Sequence, residues 1–169
     1  MRKVKRIGTI LGILLTVTIL ISGSAVATWV YARYIIDYDD CTNITEILYA
    51  DDLIHATIGQ NPSTLGWVIV DLGAGHGMGP NDEFTVVAYG NYLDNSKSED
   101  YEVSVGMNPY SFVYVGSDDD QENHTFTTPN YGSDWRYIYI EGATGVSPPL
   151  DGTDRYYGPE VDAVGWDEP

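Results

Sequence analysis

One cysteine, Cys41, is all the chain has, so no disulfide can close within it and packed apolar surface has to hold the fold. Basic residues are nearly as scarce. Of eight Lys and Arg, four (Arg2, Lys3, Lys5, Arg6) precede residue 7, and only Arg33, Lys97, Arg136 and Arg155 follow, against 25 Asp and Glu. The chain total is −17, and the segment after residue 27 alone carries a formal −21. A surface of that sign repels nucleic acid and anionic lipid and attracts cations, which excludes a nucleic-acid partner. Sustained helical periodicity is missing beyond residue 35, where 44–54 supports one turn or two at most. Internal repeats and a G-x-S-x-G elbow are absent, and His55, His76 and His124 lie too far apart for a histidine-based metal motif. Carboxylates are so numerous that no pair stands out as a general acid and base. An enzyme is therefore not expected.

What is present begins with a basic start and an uncharged run over 7–32. At 1.5 Å per residue such a run spans roughly 39 Å as a helix, enough to cross a bilayer with some tilt. Ser24-Ala-Val-Ala27 offers a small-x-small cleavage site, so residues 1–33 read either as a removed signal peptide or as a retained anchor. In the second case Trp29, Tyr31 and Tyr34 would form an interfacial aromatic belt, with the N-terminus cytoplasmic. Either way the remainder lies outside the cell membrane, secreted or at the cell surface. The aspartate-rich 34–45 reads as a spacer that contains Cys41, and 46–169 as the folded domain. Tyr38-Asp-Asp-Cys lacks the small apolar residues that precede a lipid-attachment cysteine, which leaves Cys41 as a free thiol or a bond between chains.

Beyond the spacer, short apolar runs recur between turn residues. Nine candidate strands cover 47–49, 56–58, 67–72, 84–89, 101–105, 112–115, 124–127, 136–141 and 161–165. This spacing predicts an all-β sandwich preceded by one hydrophobic helix. Arg136-Tyr-Ile-Tyr-Ile-Glu alternates, so one of its faces should be buried and the other aromatic or wet.

Two resemblances meet in 66–90, where two apolar runs flank a glycine-rich loop. Val68-Ile-Val-Asp-Leu-Gly-Ala-Gly-His-Gly resembles the first motif of S-adenosylmethionine-dependent methyltransferases. That motif needs a helix directly after its glycines, so that backbone N–H groups face the cofactor. Here Phe84-Thr-Val-Val-Ala-Tyr follows, and a hairpin of two strands is expected instead. The second resemblance is longer. Gly66-Trp-Val-Ile-Val-Asp-Leu-Gly, Asp82-Glu-Phe-Thr-Val, Tyr101-Glu-Val-Ser-Val-Gly, Ser111-Phe-Val-Tyr-Val-Gly, Trp135-Arg-Tyr-Ile-Tyr-Ile and Glu160-Val-Asp-Ala-Val resemble the successive strands of discoidin-like (coagulation factor 5/8 C-type, galactose-binding-like) modules.

That resemblance implies a jelly-roll sandwich of about eight or nine strands that binds a surface glycan or protein ligand without catalysing a reaction. It also implies a structural calcium ion (Ca2+) tying the loop after the first strand to the last strand. Asp51, Asp52 and Thr57 occupy the first position and Glu160 and Asp162 the second, although the family's glycine and asparagine after the loop aspartate are replaced by Asp52-Leu53. Ligand contacts in such modules come from loop aromatics, here Tyr131, Trp135, Tyr156 and Tyr157, while Trp67 falls inside a strand and is expected in the core. A structural component of an envelope or extracellular assembly is the alternative function.

Overall fold

Alternation in the sequence becomes alternation in burial. In the computed structural model, which describes residues 28–48, 56–59, 65–88, 100–119, 123–142 and 158–168, strand β6 (Glu83–Ala88) turns Phe84, Val86 and Ala88 inward. Strand β10 (Tyr137–Gly142) does the same with Ile138 and Ile140. Around them lie β1 (Thr28–Tyr31), β2 (Tyr34–Asp39), β3 (Cys41–Thr42), β4 (Ala56–Ile58), β5 (Trp67–Asp71), β7 (Asp100–Asn108), β8 (Ser111–Asp119), β9 (His124–Thr127) and β11 (Glu160–Glu168). The described residues contain no α-helix, and none of their helical segments is long and apolar enough to cross a membrane.

The strands form two antiparallel sheets. One runs β3-β4-β11-β6-β9, with β1 pairing β11 on the same side as β4, and the other runs β2-β5-β10-β7-β8. Val68, Val70, Val103, Val105, Ile138 and Ile140 of the second sheet meet Phe84, Val86, Phe126, Val161, Val164 and Trp166 of the first in one core. Tyr101 reaches across it to Phe126 edge-on at 6.2 Å, a geometry aromatic pairs favour. The architecture is an all-β sandwich of two antiparallel sheets, the class that the strand spacing predicted.

Eight of the nine expected strands are present; of the ninth, 47–49, the first two residues belong to a 3-10 turn, Ile44–Leu48, whose Ile47 is buried, and Tyr49 lies outside the described residues. The larger correction is at the start. Residues 34–45 are not a spacer and the domain does not begin at 46, because β1 pairs β11 from Thr28↔Glu168 to Tyr31↔Gly165 and β2 pairs β5 from Tyr34↔Asp71 to Asp39↔Trp67. Val30 and Ala32 enter the core, and Trp29 and Tyr31 lie on a sheet, where they cannot serve as an interfacial belt. The acidic composition that suggested a spacer belongs to an edge strand, exposed at five of the six positions of β2. Residues 1–27, with the expected signal or anchor, lie outside the described residues.

Candidate ligand-binding site

The loop from Leu72 to Asp82 leaves β5 at Asp71 and enters β6 in the opposite sheet, so it is a crossover and not the expected hairpin. Asp71 holds its start. One carboxylate oxygen accepts the Gly73 N–H at 2.8 Å, and Arg136 donates to both oxygens, Nε at 2.5 Å and Nη2 at 2.6 Å. Gly73 has φ +98, a conformation glycine adopts without strain, which lets the chain turn back onto its own aspartate. Burial pushes the Asp71 carboxyl up, but the Arg136 and Gly73 hydrogen bonds hold it below the usual carboxylate range. The bond to Asp71 correspondingly raises the Arg136 guanidinium, which also lies 5.0 Å from the Tyr137 ring centre. The D-L-G-A-G run is thus a clamp built into a sandwich, and the helix N-terminus that S-adenosylmethionine requires does not follow it.

Trp135 fastens this loop to its neighbours. Its backbone exchanges two hydrogen bonds with Met78, N–H to carbonyl at 2.9 and 3.1 Å, and its indole Nε1 donates to the Tyr131 carbonyl at 2.9 Å. The side chain is 1% exposed. It is therefore not the ligand-stacking ring expected at this position, because backbone pairing draws it under the loop. Gly132, at φ +81, lies so close that a Cβ there would stand 3.0 Å from the Trp135 ring and 3.2 Å from Met107 Sδ. Three loops consequently meet over one indole. Above it Tyr131 is 55% exposed, its ring edge-on to Trp135 at 5.7 Å, and Met107 near the end of β7 and Tyr110 on the β7–β8 turn are 47% and 92% exposed.

The other expected ligand aromatics, Tyr156 and Tyr157, lie outside the described residues, and the chain resumes at Gly158 against Ile58, at the opposite end of the sandwich. Of the calcium set, Asp51 and Asp52 are likewise outside the described residues. Of the remainder, Glu160 lies opposite Thr57 across the β11–β4 pairing and Asp162 two residues on, all three buried. Glu160 and Asp162 are each engaged by other groups of the fold, and no cluster of three or more His, Cys, Asp or Glu able to hold a metal occurs among the described residues. Two buried carboxylates within three residues are a donor set that suits a hard cation, which would need its further oxygens from 51–52 or from backbone carbonyls.

Trp67 is not core either. It is half-buried on the outer face of its sheet, 5.9 Å from Tyr139, which in turn meets Phe112 at 5.4 Å. Sequence reasoning also missed a groove beside β1, walled by Trp29 and Trp166. The alternation of Trp29 and Tyr31 outward with Val30 and Ala32 inward was the available signal, but it was hidden inside a longer uncharged run.

No protein-family model matches the chain, and no curated protein is significantly similar to it. Among solved structures it is similar to the C-terminal domain of a chitobiase from Bacteroides fragilis, at 12% identity over 82% of this chain and 91% of that one, with a TM-score of 0.49. It is also similar to the CBM32 of AlyQ in complex with 4,5-unsaturated mannuronic acid, at 18% identity over 67% and 84% of the two chains and a TM-score of 0.40. A truncated AlyQ with CBM32 and alginate lyase domains aligns at 15% identity over 85% of this chain and 35% of that one, TM-score 0.43. At these identities and TM-scores the likeness assigns the chain no family and no role.

Proposed function

We propose that the chain is an exported, cell-surface module that binds glycans at the loop end capped by Tyr131 and catalyses no reaction. The observation that carries this reading is an exposed aromatic ring held in place from below: Tyr131 stands in solvent while its backbone carbonyl is fixed by a buried indole. A pre-fixed ring loses little freedom when the apolar face of a sugar stacks on it, so more of the contact energy appears as affinity. Export rests on the basic start, the uncharged run after it and the cleavage-compatible Ser24-Ala-Val-Ala27. A glycan array probed with the protein should show selective retention, and Tyr131→Ala should weaken the best hit at least about tenfold, equivalent to about 1.4 kcal/mol. Unchanged binding by the variant would remove the loop end from recognition.

A structural calcium ion at Glu160 and Asp162 belongs to the same proposal, supported by two buried carboxylates at the start of β11. Calcium at 100 times its Kd should then stabilise the fold by about 2.7 kcal/mol. At fixed ionic strength the melting temperature should rise with calcium more than with magnesium, which demands a tighter octahedral shell. Equal shifts from the two ions would mean general screening of the acidic surface.

A further inference from the structure

We infer that the chain keeps its N-terminal run as an anchor, that the Tyr131 end faces the bilayer, and that the glycan taken there is the headgroup of a glycolipid in that membrane. The inference rests on the reading of this end as a glycan site. Because β1 claims the chain from Thr28 onward, only residues 7–27 of the uncharged run remain for a membrane span. As a helix they would cover about 32 Å, against about 30 Å for the hydrocarbon core of a bilayer. The run is longer than the apolar stretch of about 7–15 residues that a removed signal peptide carries, yet it leaves no residue over for a spacer. The sandwich must then sit directly on the membrane, by whichever end Thr28 occupies.

Thr28 occupies the end that carries Tyr131. It pairs with Glu168, whose carboxylate meets His76 Nδ1 at 3.0 Å on the 72–82 loop. Through Met78 that loop exchanges two backbone hydrogen bonds with Trp135, and Trp135 donates its indole N–H to the Tyr131 carbonyl. The opposite end is marked by Glu160, Thr57 and Thr42, which are paired across β11, β4 and β3. Tether and loop aromatics therefore share one end. A glycan free in solution would have to enter between the domain and the bilayer, whereas a headgroup in the same leaflet is already there at high effective concentration. The rim suits that position: the largely exposed Tyr110 is a residue type enriched at lipid–water interfaces, and Met107 adds apolar surface beside it. Anionic headgroups are disfavoured, because Asp134 and Asp167 stand exposed at this end and Arg136 is committed to Asp71.

The experiment uses the full chain, first in phosphatidylcholine vesicles that contain a headgroup spin-labelled lipid. A fluorophore is placed either on Ser111→Cys, beside Tyr110, or on Asn43→Cys at the opposite end, each in a Cys41→Ser background. The label at position 111 should be quenched and the label at position 43 should not. Native mass spectrometry in detergent then tests retention of glucosyl-, galactosyl- and mannosyl-diacylglycerol, with phosphatidylglycerol as the anionic counterpart. At least one glycosyl lipid should be retained, phosphatidylglycerol should not, and Tyr131→Ala should weaken the retention at least about tenfold. Quenching at position 43, equal quenching at both positions, or an exported chain whose intact mass starts at Thr28 would each overturn the membrane-facing end. Retention of phosphatidylglycerol as strong as that of the glycosyl lipids, or retention indifferent to Tyr131→Ala, would overturn the glycolipid. Free glycans bound through Tyr131 on an array with no glycosyl lipid retained would overturn the membrane source and leave the loop-end glycan reading standing, whereas failure of both would remove that reading as well.

Discussion

Trp135 and Trp166 are buried to nearly the same degree, at 1% and 4% exposure, and both sit towards the end of the sandwich where β5 leaves for β6. Around Trp135 every polar demand named above is met inside the chain: its N–H goes to Tyr131, its backbone to Met78, and the neighbouring Asp71 carboxylate to Arg136 and Gly73. Around Trp166 the indole N–H finds no acceptor among the described residues, and Trp29 beside it is in the same state. A satisfied buried network holds loops in place, whereas a donor shut away from water without an acceptor costs stability where it stands. The contrast separates a corner whose polar groups are matched inside the chain from one that carries an unmatched donor.

The comparison breaks most visibly at Asp71. Asp71→Asn keeps an acceptor for Gly73 but leaves the Arg136 guanidinium without its charge partner, which should cost about 3 kcal/mol in urea denaturation. That is the low end of the usual range for a broken buried pair, because the Arg136 side chain keeps 24% exposure and water screens part of the loss. The pH dependence carries a sign. The folded-state pKa of Asp71 lies below the ordinary value of about 3.9, so the unfolded chain binds its proton first and the contribution is present above about pH 4. It is lost as the pH falls through the depressed folded value. The difference in stability between the parent and Asp71→Asn should stay constant from about pH 5 to 8 and shrink below about pH 4. A difference that persists at low pH would mean that the carboxylate charge contributes little to the clamp.

How much of this was legible in the sequence follows the range of the contacts. β4 to β11 could be placed from short apolar runs between turn residues, and in β6 and β10 the burial also follows a period of two. β1 to β3 could not, since the residues of β1 continue an uncharged run and the exposed face of β2 is acidic, and both features have commoner explanations. At the loop end Tyr131 was singled out with the exposure it has, but Trp135 next to it exchanged roles because Met78, distant in sequence, pulls its backbone inward. Asp71 was read within a cofactor motif, and only its pairing with Arg136 shows that the glycines serve a turn. The Trp29 groove depends on Gly165 lying beneath the ring, a pairing that local sequence does not encode.

The smallest expected effect is the sharpest test of the contrast. Trp135→Phe and Trp166→Phe remove the same atoms from two side chains of nearly equal burial, so the loss of apolar contact is similar and largely cancels between them. They differ in the fate of the N–H. Trp135→Phe deletes a hydrogen bond made to Tyr131 and leaves that carbonyl without its donor, whereas Trp166→Phe deletes a donor that has no protein acceptor among the described residues and so removes a penalty. In the absence of ligand, Trp135→Phe should therefore be the more destabilising by about 1 kcal/mol. For a chain of this length that is a difference of about 2–4 °C in melting temperature. Equal losses, or a larger loss at Trp166, would show that the Trp166 indole is already satisfied in the folded chain, and the distinction between the two corners would go with it.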